Sequence, residues 1–185
     1  MRILSVIKLV IHATFLNICL FSQAYSFDTK ARAAYVIDQT SGTVLLSKNS
    51  DLPLPPASMS KLMTLYMTFE FIEAGRLGLD EKLPVSKNAA NYTGSTMFLN
   101  PTDRVTVLDL LRGIIVLSGN DACAVIAETL SPDGTEAGFA KIMTERGKQL
   151  GLENSTFKNS NGWPADGHHM SVRDLAILAG RLISD

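Results

Sequence analysis

Cysteine is almost absent from this sequence, with Cys19 and Cys123 the two in 185 residues. If Cys19 is lost with the leader considered below, Cys123 stands alone. An internal disulfide is then impossible and packing must hold the chain together. Cys123 lies in the apolar stretch DACAVIAETL, the setting of a small core residue rather than of a nucleophile. No Cys/His cluster has zinc spacing, and the adjacent His168 and His169 point to different sides of the backbone, so neither a metal nor a cofactor is expected. An excess of one charge is lacking too. Seventeen Lys and Arg against eighteen Asp and Glu leave a net charge of -1, so no basic field exists to hold nucleic acid through counterion release. Internal repeats and low-complexity linkers are also missing. What is there, 46% apolar and 19% charged residues, is the composition of one globular domain with a core.

The longest apolar run falls short of a membrane span. Arg2 and Lys8 give a positive start, residues 9–21 are mostly apolar, and Ser22-Gln23-Ala24 or Ala24-Tyr25-Ser26 offers small residues for cleavage. A span needs roughly 20 apolar residues, whereas this run is interrupted by His12, Thr14 and Asn17. Residues 1–26 are expected to be a cleaved signal peptide, with an uncleaved anchor as the alternative, and residues 27–185 an exported domain.

Beyond the leader, 33–38 (AAYVID) and 42–47 (GTVLLS) are short β-type runs around turn-forming Gln39-Thr40-Ser41-Gly42, which predicts a hairpin. Residues 49–56 hold three prolines and read as an irregular connection. Residues 57–74 then lack Gly and Pro, and Gly75 follows as a C-cap. Leu62, Leu65, Phe69 and Ile72 form a core-facing stripe there, widened by Met59, Met63 and Met67, which predicts a central buried helix. Further helices are expected over 106–117, over 121–130 with Asn120 or Asp121 as cap, and over 135–150 with Phe139, Ile142, Met143 and Leu150 inward. A last one covers 171–183, opening on Ser171-Val172-Arg173-Asp174. The layout is a hairpin followed by a mostly helical body.

Two short strings carry chemistry. Ser58-Met59-Ser60-Lys61 stands at a helix start, where residues i and i+3 share a face. A serine hydroxyl is a weak nucleophile without an adjacent base. Lysine is such a base only when neutral, which requires burial or nearby positive charge to bring it below its reference pKa of about 10.4. The helix start adds about 0.3–1 kcal/mol in favour of negative charge on the serine oxygen. Alone, the string is also what a capping serine and a solvated lysine produce. Sixty residues later Ser118-Gly119-Asn120 falls between two predicted helices, where a tight turn would expose both polar side chains. Ser118 could relay a proton and Asn120 could bond a substrate amide; a simple capping loop has the same composition.

The segment 56–64 (PASMSKLMT) resembles the nucleophile segment of the D-alanyl-D-alanine carboxypeptidases, the low-molecular-mass penicillin-binding proteins. Residues 94–99 (GSTMFL), 112–116 (RGIIV) and 118–123 (SGNDAC) match that family's next segments in order. Leu150-Gly151-Leu152, Thr156-Phe157, Asn161-Gly162 and 169–174 (HMSVRD) continue the match across the mature chain. The resemblance implies the α+β transpeptidase fold shared with serine β-lactamases, of which 27–185 would be part of the catalytic domain. It implies a periplasmic or outer-face enzyme that releases the last D-alanine of a peptidoglycan stem peptide through an acyl-enzyme, and that β-lactams acylate. Ser58 is then the nucleophile, Lys61 the acylation base, Ser118 and Asn120 the second motif, and the Ser58 N–H an oxyanion donor. Ser95 and His169 match positions beside the cleft.

The family's third motif, Lys-Thr-Gly or a variant, is not found in this sequence. The chain is therefore expected to lack the remaining sheet strands and one oxyanion donor, a loss on the order of 10²–10³ in rate, and to be weakly active or inactive. Membrane association is expected only through a C-terminal anchor of the family that this sequence does not contain. The alternatives are a non-catalytic penicillin-binding remnant and a serine β-lactamase. Class A enzymes of the latter kind carry Ser-Asp-Asn at the second motif and a Glu-x-x-x-Asn loop, and no such loop occurs between residues 137 and 185.

Overall fold

Two apolar runs joined by polar turn residues close into the expected hairpin. In the computed structural model, β1 (Ala34–Ile37) pairs antiparallel with β2 (Val44–Lys48), Ala34 opposite Lys48 and Val36 opposite Leu46. The Asp38 carboxylate accepts the N–H groups of Thr40 (2.8 Å) and Ser41 (3.3 Å), closing the turn and holding that carboxyl below its ordinary pKa. The described residues are Phe27 and 29–184, so the expected signal peptide lies outside them. By contacts the chain divides into Met1–Lys30 and Ala31–Asp185, and the fold is that of the second unit.

After the proline-rich connection, Ala57–Ser60 forms a single 3-10 turn and α1 (Lys61–Glu73) follows. Gly75 ends it at φ +67°, as its position after the last apolar residue suggests. The expected inward stripe is corrected. Phe69 is 42% exposed and Met59 is exposed too, whereas Lys61, Thr64 and Thr68 are buried beside Met63, Leu65 and Met67. Lys61 and Thr64 face inward because they bond the loop described below, and Thr68 donates its hydroxyl to the Thr64 carbonyl of the same helix (2.6 Å).

Two three-residue strands, β3 (Lys82–Pro84) and β4 (Arg104–Thr106), pair antiparallel, with α2 (Lys87–Ala90) between them. None was expected from the sequence, being too short to show a period. The remaining helices are α3 (Val107–Leu117), α4 (Asn120–Leu130), α5 (Glu136–Gln149) and α6 (Val172–Ser184). Side-chain caps start three of them. Thr106 Oγ1 accepts from Asp109 N–H (3.1 Å), Thr135 Oγ1 from Gly138 N–H (2.9 Å) and Ser171 Oγ from Asp174 N–H (3.1 Å).

The axis of the unit is α4, which packs against α1, α2, α3, α5 and β3. Its Ala122, Cys123, Ala124, Ile126 and Ala127 are fully buried, and such small side chains let neighbouring helices approach closely. Phe139 and Met143 of α5 fill the space beside it, as expected, each contributing about 1.5–3 kcal/mol through burial. On the far side, α6 packs on β1, and Arg173 ties the two regions together. Its guanidinium donates to Asp51 Oδ1 (2.6 Å) and Ser50 Oγ (3.0 Å). The result is an α+β arrangement of helices around α4 with two small sheets.

Candidate active site

The turn that carries Ser58 is forced into shape from both sides. Ala57 adopts φ +49°, and Gly162 lies against it at φ +85°. A Cβ on Gly162 would come within 1.8 Å of the Ala57 carbonyl oxygen, so only glycine fits there. One turn of helix then separates Ser58 from Lys61, and Lys61 Nζ donates to Ser58 Oγ at 3.1 Å. The hydroxyl is exposed while the lysine is 4% exposed. Burial holds the Lys61 amine below its ordinary pKa, as a base for this serine requires. Cys123, which interacts with Lys61 electrostatically, is pushed far up by its own burial and stays a neutral thiol.

Lys61 has a second acceptor that residue types alone did not reveal, the backbone carbonyl of Asn161 at 2.8 Å. The loop presenting it is fastened at each residue. Asn159 Oδ1 accepts from Gly162 N–H (2.8 Å), and Asn159 Nδ2 donates to the Trp163 carbonyl (2.8 Å). Asn161 Oδ1 accepts from Trp163 N–H (2.8 Å). Thr64 of α1 donates to the Ser160 carbonyl (2.6 Å). Glu136, in the first turn of α5, accepts from the Ser160 N–H (3.0 Å), the Ser160 hydroxyl (2.5 Å) and the Tyr92 hydroxyl (2.5 Å). Burial, and then Glu136, push the Tyr92 phenol far up, so it remains a donor. The turn-rich string Asn159-Ser160-Asn161-Gly162 was the signal available for this loop.

The second motif is built differently from the exposed turn expected. Ser118, half-buried, ends α3 in the left-handed conformation at φ 56°, and Gly119 N–H donates to Gly113 O (3.1 Å). Asn120 is only 7% exposed, with its backbone N–H and one amide N–H used inward. Its backbone N–H meets Ser95 O at 2.8 Å and its Nδ2 meets Thr93 O at 2.8 Å. Neither Asn120 nor Asp121 caps α4; Gly119 takes the cap position without a side-chain bond. The buried Asp121 carboxylate instead accepts the N–H groups of Met97 (3.0 Å) and Leu99 (3.1 Å), fixing the segment that presents Ser95.

Gly94 joins the two halves. A Cβ there would lie 3.4 Å from Asn120 Nδ2 and 3.7 Å from the Trp163 ring. The second motif and the loop that holds Lys61 therefore meet across one residue. Among the predicted site residues, Lys61 bonds Ser58 and the Asn120 N–H bonds the Ser95 carbonyl directly. Among the described residues no hydrogen bond links Ser118 or His169 to Ser58 or Lys61. His169 is half-buried and held by its backbone, which pairs with Thr156 at 2.8 and 3.0 Å.

The model of the D-alanyl-D-alanine carboxypeptidase family matches residues 21–185. D-alanyl-D-alanine carboxypeptidase DacF of Bacillus subtilis is 41% identical over 154 residues, 83% of this chain and 39% of that protein. DacC of Escherichia coli is 39% identical over 84% of this chain and 40% of its own length. The chain thus spans about 40% of the length of these curated relatives. The crystal structure of the carboxypeptidase DacD from Francisella tularensis superimposes with a TM-score of 0.84 at 34% identity, over 88% of this chain and 39% of that one. Ampicillin-bound penicillin-binding protein D2 from Listeria monocytogenes gives 0.73 at 32% identity, over 83% of this chain and 62% of that one. With the family model matched over nearly the whole sequence, this chain belongs to the D-alanyl-D-alanine carboxypeptidase family.

Proposed function

We propose that Ser58 and Lys61 are the nucleophile and base of a serine-type D-alanyl-D-alanine carboxypeptidase acting on peptidoglycan stem peptides. The observation that carries this reading is the 3.1 Å contact between an exposed serine hydroxyl and a buried lysine amine. Neutral Lys61 takes the hydroxyl proton as Ser58 Oγ attacks the carbonyl between the two D-alanines. The Ser58 N–H faces the developing oxyanion. The Asn161 carbonyl holds the resulting ammonium in place. Ser118 relays that proton from the Lys61 ammonium to the D-alanine amine as its C–N bond breaks, and water then hydrolyses the ester left on Ser58 and restores its hydroxyl. With its Nδ2 committed to Thr93 O, Asn120 offers Oδ1 to a substrate amide N–H. Ser95 and His169 line the same cleft. β-Lactams acylate the same oxygen, a reading supported by the ampicillin- and cefotaxime-bound relatives. The site acts outside the cytoplasm, at the periplasmic wall, after removal of residues 1–26.

The test is labelling of the signal-free chain with a fluorescent penicillin, read by intact mass, with Ser58→Ala as control. A stoichiometric adduct that the control lacks is the expected result. A folded chain that forms none would refute the assignment of activity to this chain.

A further inference from the structure

The histidine of the pair His168-His169 that contacts the nucleophile turn is His168. It is 6% exposed, on the last residue of the loop whose middle presents the Asn161 carbonyl to Lys61. Its Nδ1 accepts the N–H of Lys158, at the loop's other end, at 3.3 Å, so one imidazole bridges the loop's base. Nδ1 being an acceptor, the proton of a neutral ring resides on Nε2, and Nε2 lies 2.7 Å from Ser60 Oγ. Ser60 is fully buried, sits between Ser58 and Lys61, and leaves α1 without a side-chain cap. Phe157 packs edge-on to the ring at 5.8 Å and fixes its plane. A small pocket of about 150 Å³, bounded by Pro56, Ala57, Gly162, Trp163 and His168, shows the ring lodged between turn and loop.

We propose that His168 is a positioning residue for the reaction at Ser58, one imidazole that registers the turn carrying the nucleophile against the loop carrying the acceptor of Lys61. This rests on the functional reading given above. The site requires Ser58 Oγ, Lys61 Nζ and Asn161 O in line, and these atoms come from segments 100 residues apart. Gly162 brings the segments into contact, but a glycine cannot fix their relative rotation; a hydrogen-bonded ring can. Burial, with the charges of His169 and Lys158 beside it, holds the ring near a pKa of about 4, so it stays in its neutral form. Protonation would place an Nδ1–H against the Lys158 N–H, donor to donor, and open the loop's base.

The experiment combines the signal-free wild-type chain with His168→Phe, His168→Gln, Ser60→Ala and the His168→Phe/Ser60→Ala double variant. Long-range ¹H–¹⁵N correlation should show the Nε2–H tautomer in wild type. The penicillin acylation rate, per folded molecule, should fall about 10- to 100-fold in His168→Phe, the scale of a sub-ångström to 1 Å misalignment. His168→Gln, whose amide can donate to Ser60, should recover most of that loss. Ser60→Ala added to His168→Phe should cost nothing further, since both remove one contact. The ¹³Cε titration of Lys61 should move up by about one pH unit in His168→Phe as the loosened loop admits water. An Nδ1–H tautomer, or wild-type acylation in folded His168→Phe, would overturn the proposal. If wild type forms no adduct, the functional reading fails instead, and the tautomer with the Lys61 titration decides on His168. Nε2–H and a raised midpoint support the role, and a midpoint that does not move sinks it.

Discussion

Burial lowers the pKa of a lysine amine and of a histidine ring here, and the two titrate in windows that separate function from stability. Lys61 titrates in the folded chain below its unfolded value of about 10.4. Between the two values the unfolded chain holds the extra proton, so stability rises with pH across that window and the buried ammonium is a burden below it. Lys61→Met should therefore lower penicillin acylation by about 10²–10⁴-fold with no fall in the urea midpoint at neutral pH. A parallel collapse of both would mean that the amine is structural. His168 is shifted in the same direction, but its window lies below neutral pH. Its pKa is about 4 against 6.5 in the unfolded chain, so its contribution is complete above pH 6.5 and disappears as pH falls through 4. The full span is worth about 3 kcal/mol. His168→Phe should flatten the acid limb of the stability profile between those two values, which urea melts at stepped pH would measure. An unchanged acid limb would assign that limb to other groups.

At the scale of elements, the loops are held by buried polar groups whose roles could not be read from spacing. Asp121 at a helix start reads as a cap, yet its carboxylate leaves the helix to bind Met97 and Leu99. Asp121→Ala would strand two backbone donors beneath the Ser95 segment and should cost about 3 kcal/mol, seen as a lowered urea midpoint with an unchanged slope. Gly162 is the sharper case, because an added Cβ meets backbone rather than a side chain that could swing away. Gly162→Ala should destabilise by at least about 2 kcal/mol and suppress penicillin labelling even in the molecules that fold. Full labelling would show that the turn can shift without losing the Ser58–Lys61 contact. The hairpin, the long helices and the helix start at Ser171 were legible, since periodicity and capping are local properties. The strands β3 and β4 were not, because three-residue segments twenty residues apart leave no period to read. The inward Lys61 and Thr64 defeated the apolar-stripe argument, since their burial serves hydrogen bonds with the loop around Ser160 and Asn161.

Across the molecule, the site is a meeting of segments, and that limits what any sequence string can reveal. Ser-x-x-Lys placed Ser58 beside Lys61 because i and i+3 on one turn are neighbours by geometry. The Asn161 carbonyl was invisible because every residue has one, and only the fold decides which carbonyl faces an amine. The same assembly predicts an uneven distribution of stability. The Lys61, Asn161 and Glu136 connections join α1 and α5, which both pack on the buried helix α4. The hairpin by contrast is two-stranded, shows Val36, Val44 and Leu45 to solvent, and is attached mainly through α6 and Arg173. A two-stranded hairpin is marginal in water, so its opening should not require the site to open. Native-state hydrogen exchange should find β1 and β2 amides exchanging at least about 100-fold faster than those of α4, a gap of nearly 3 kcal/mol in opening free energy. Arg173→Ala should widen that gap while leaving α4 protection and penicillin labelling unchanged. Equal protection in hairpin and α4 would instead mean that the unit opens as a whole, and that the hairpin contributes directly to holding Ser58 against Lys61.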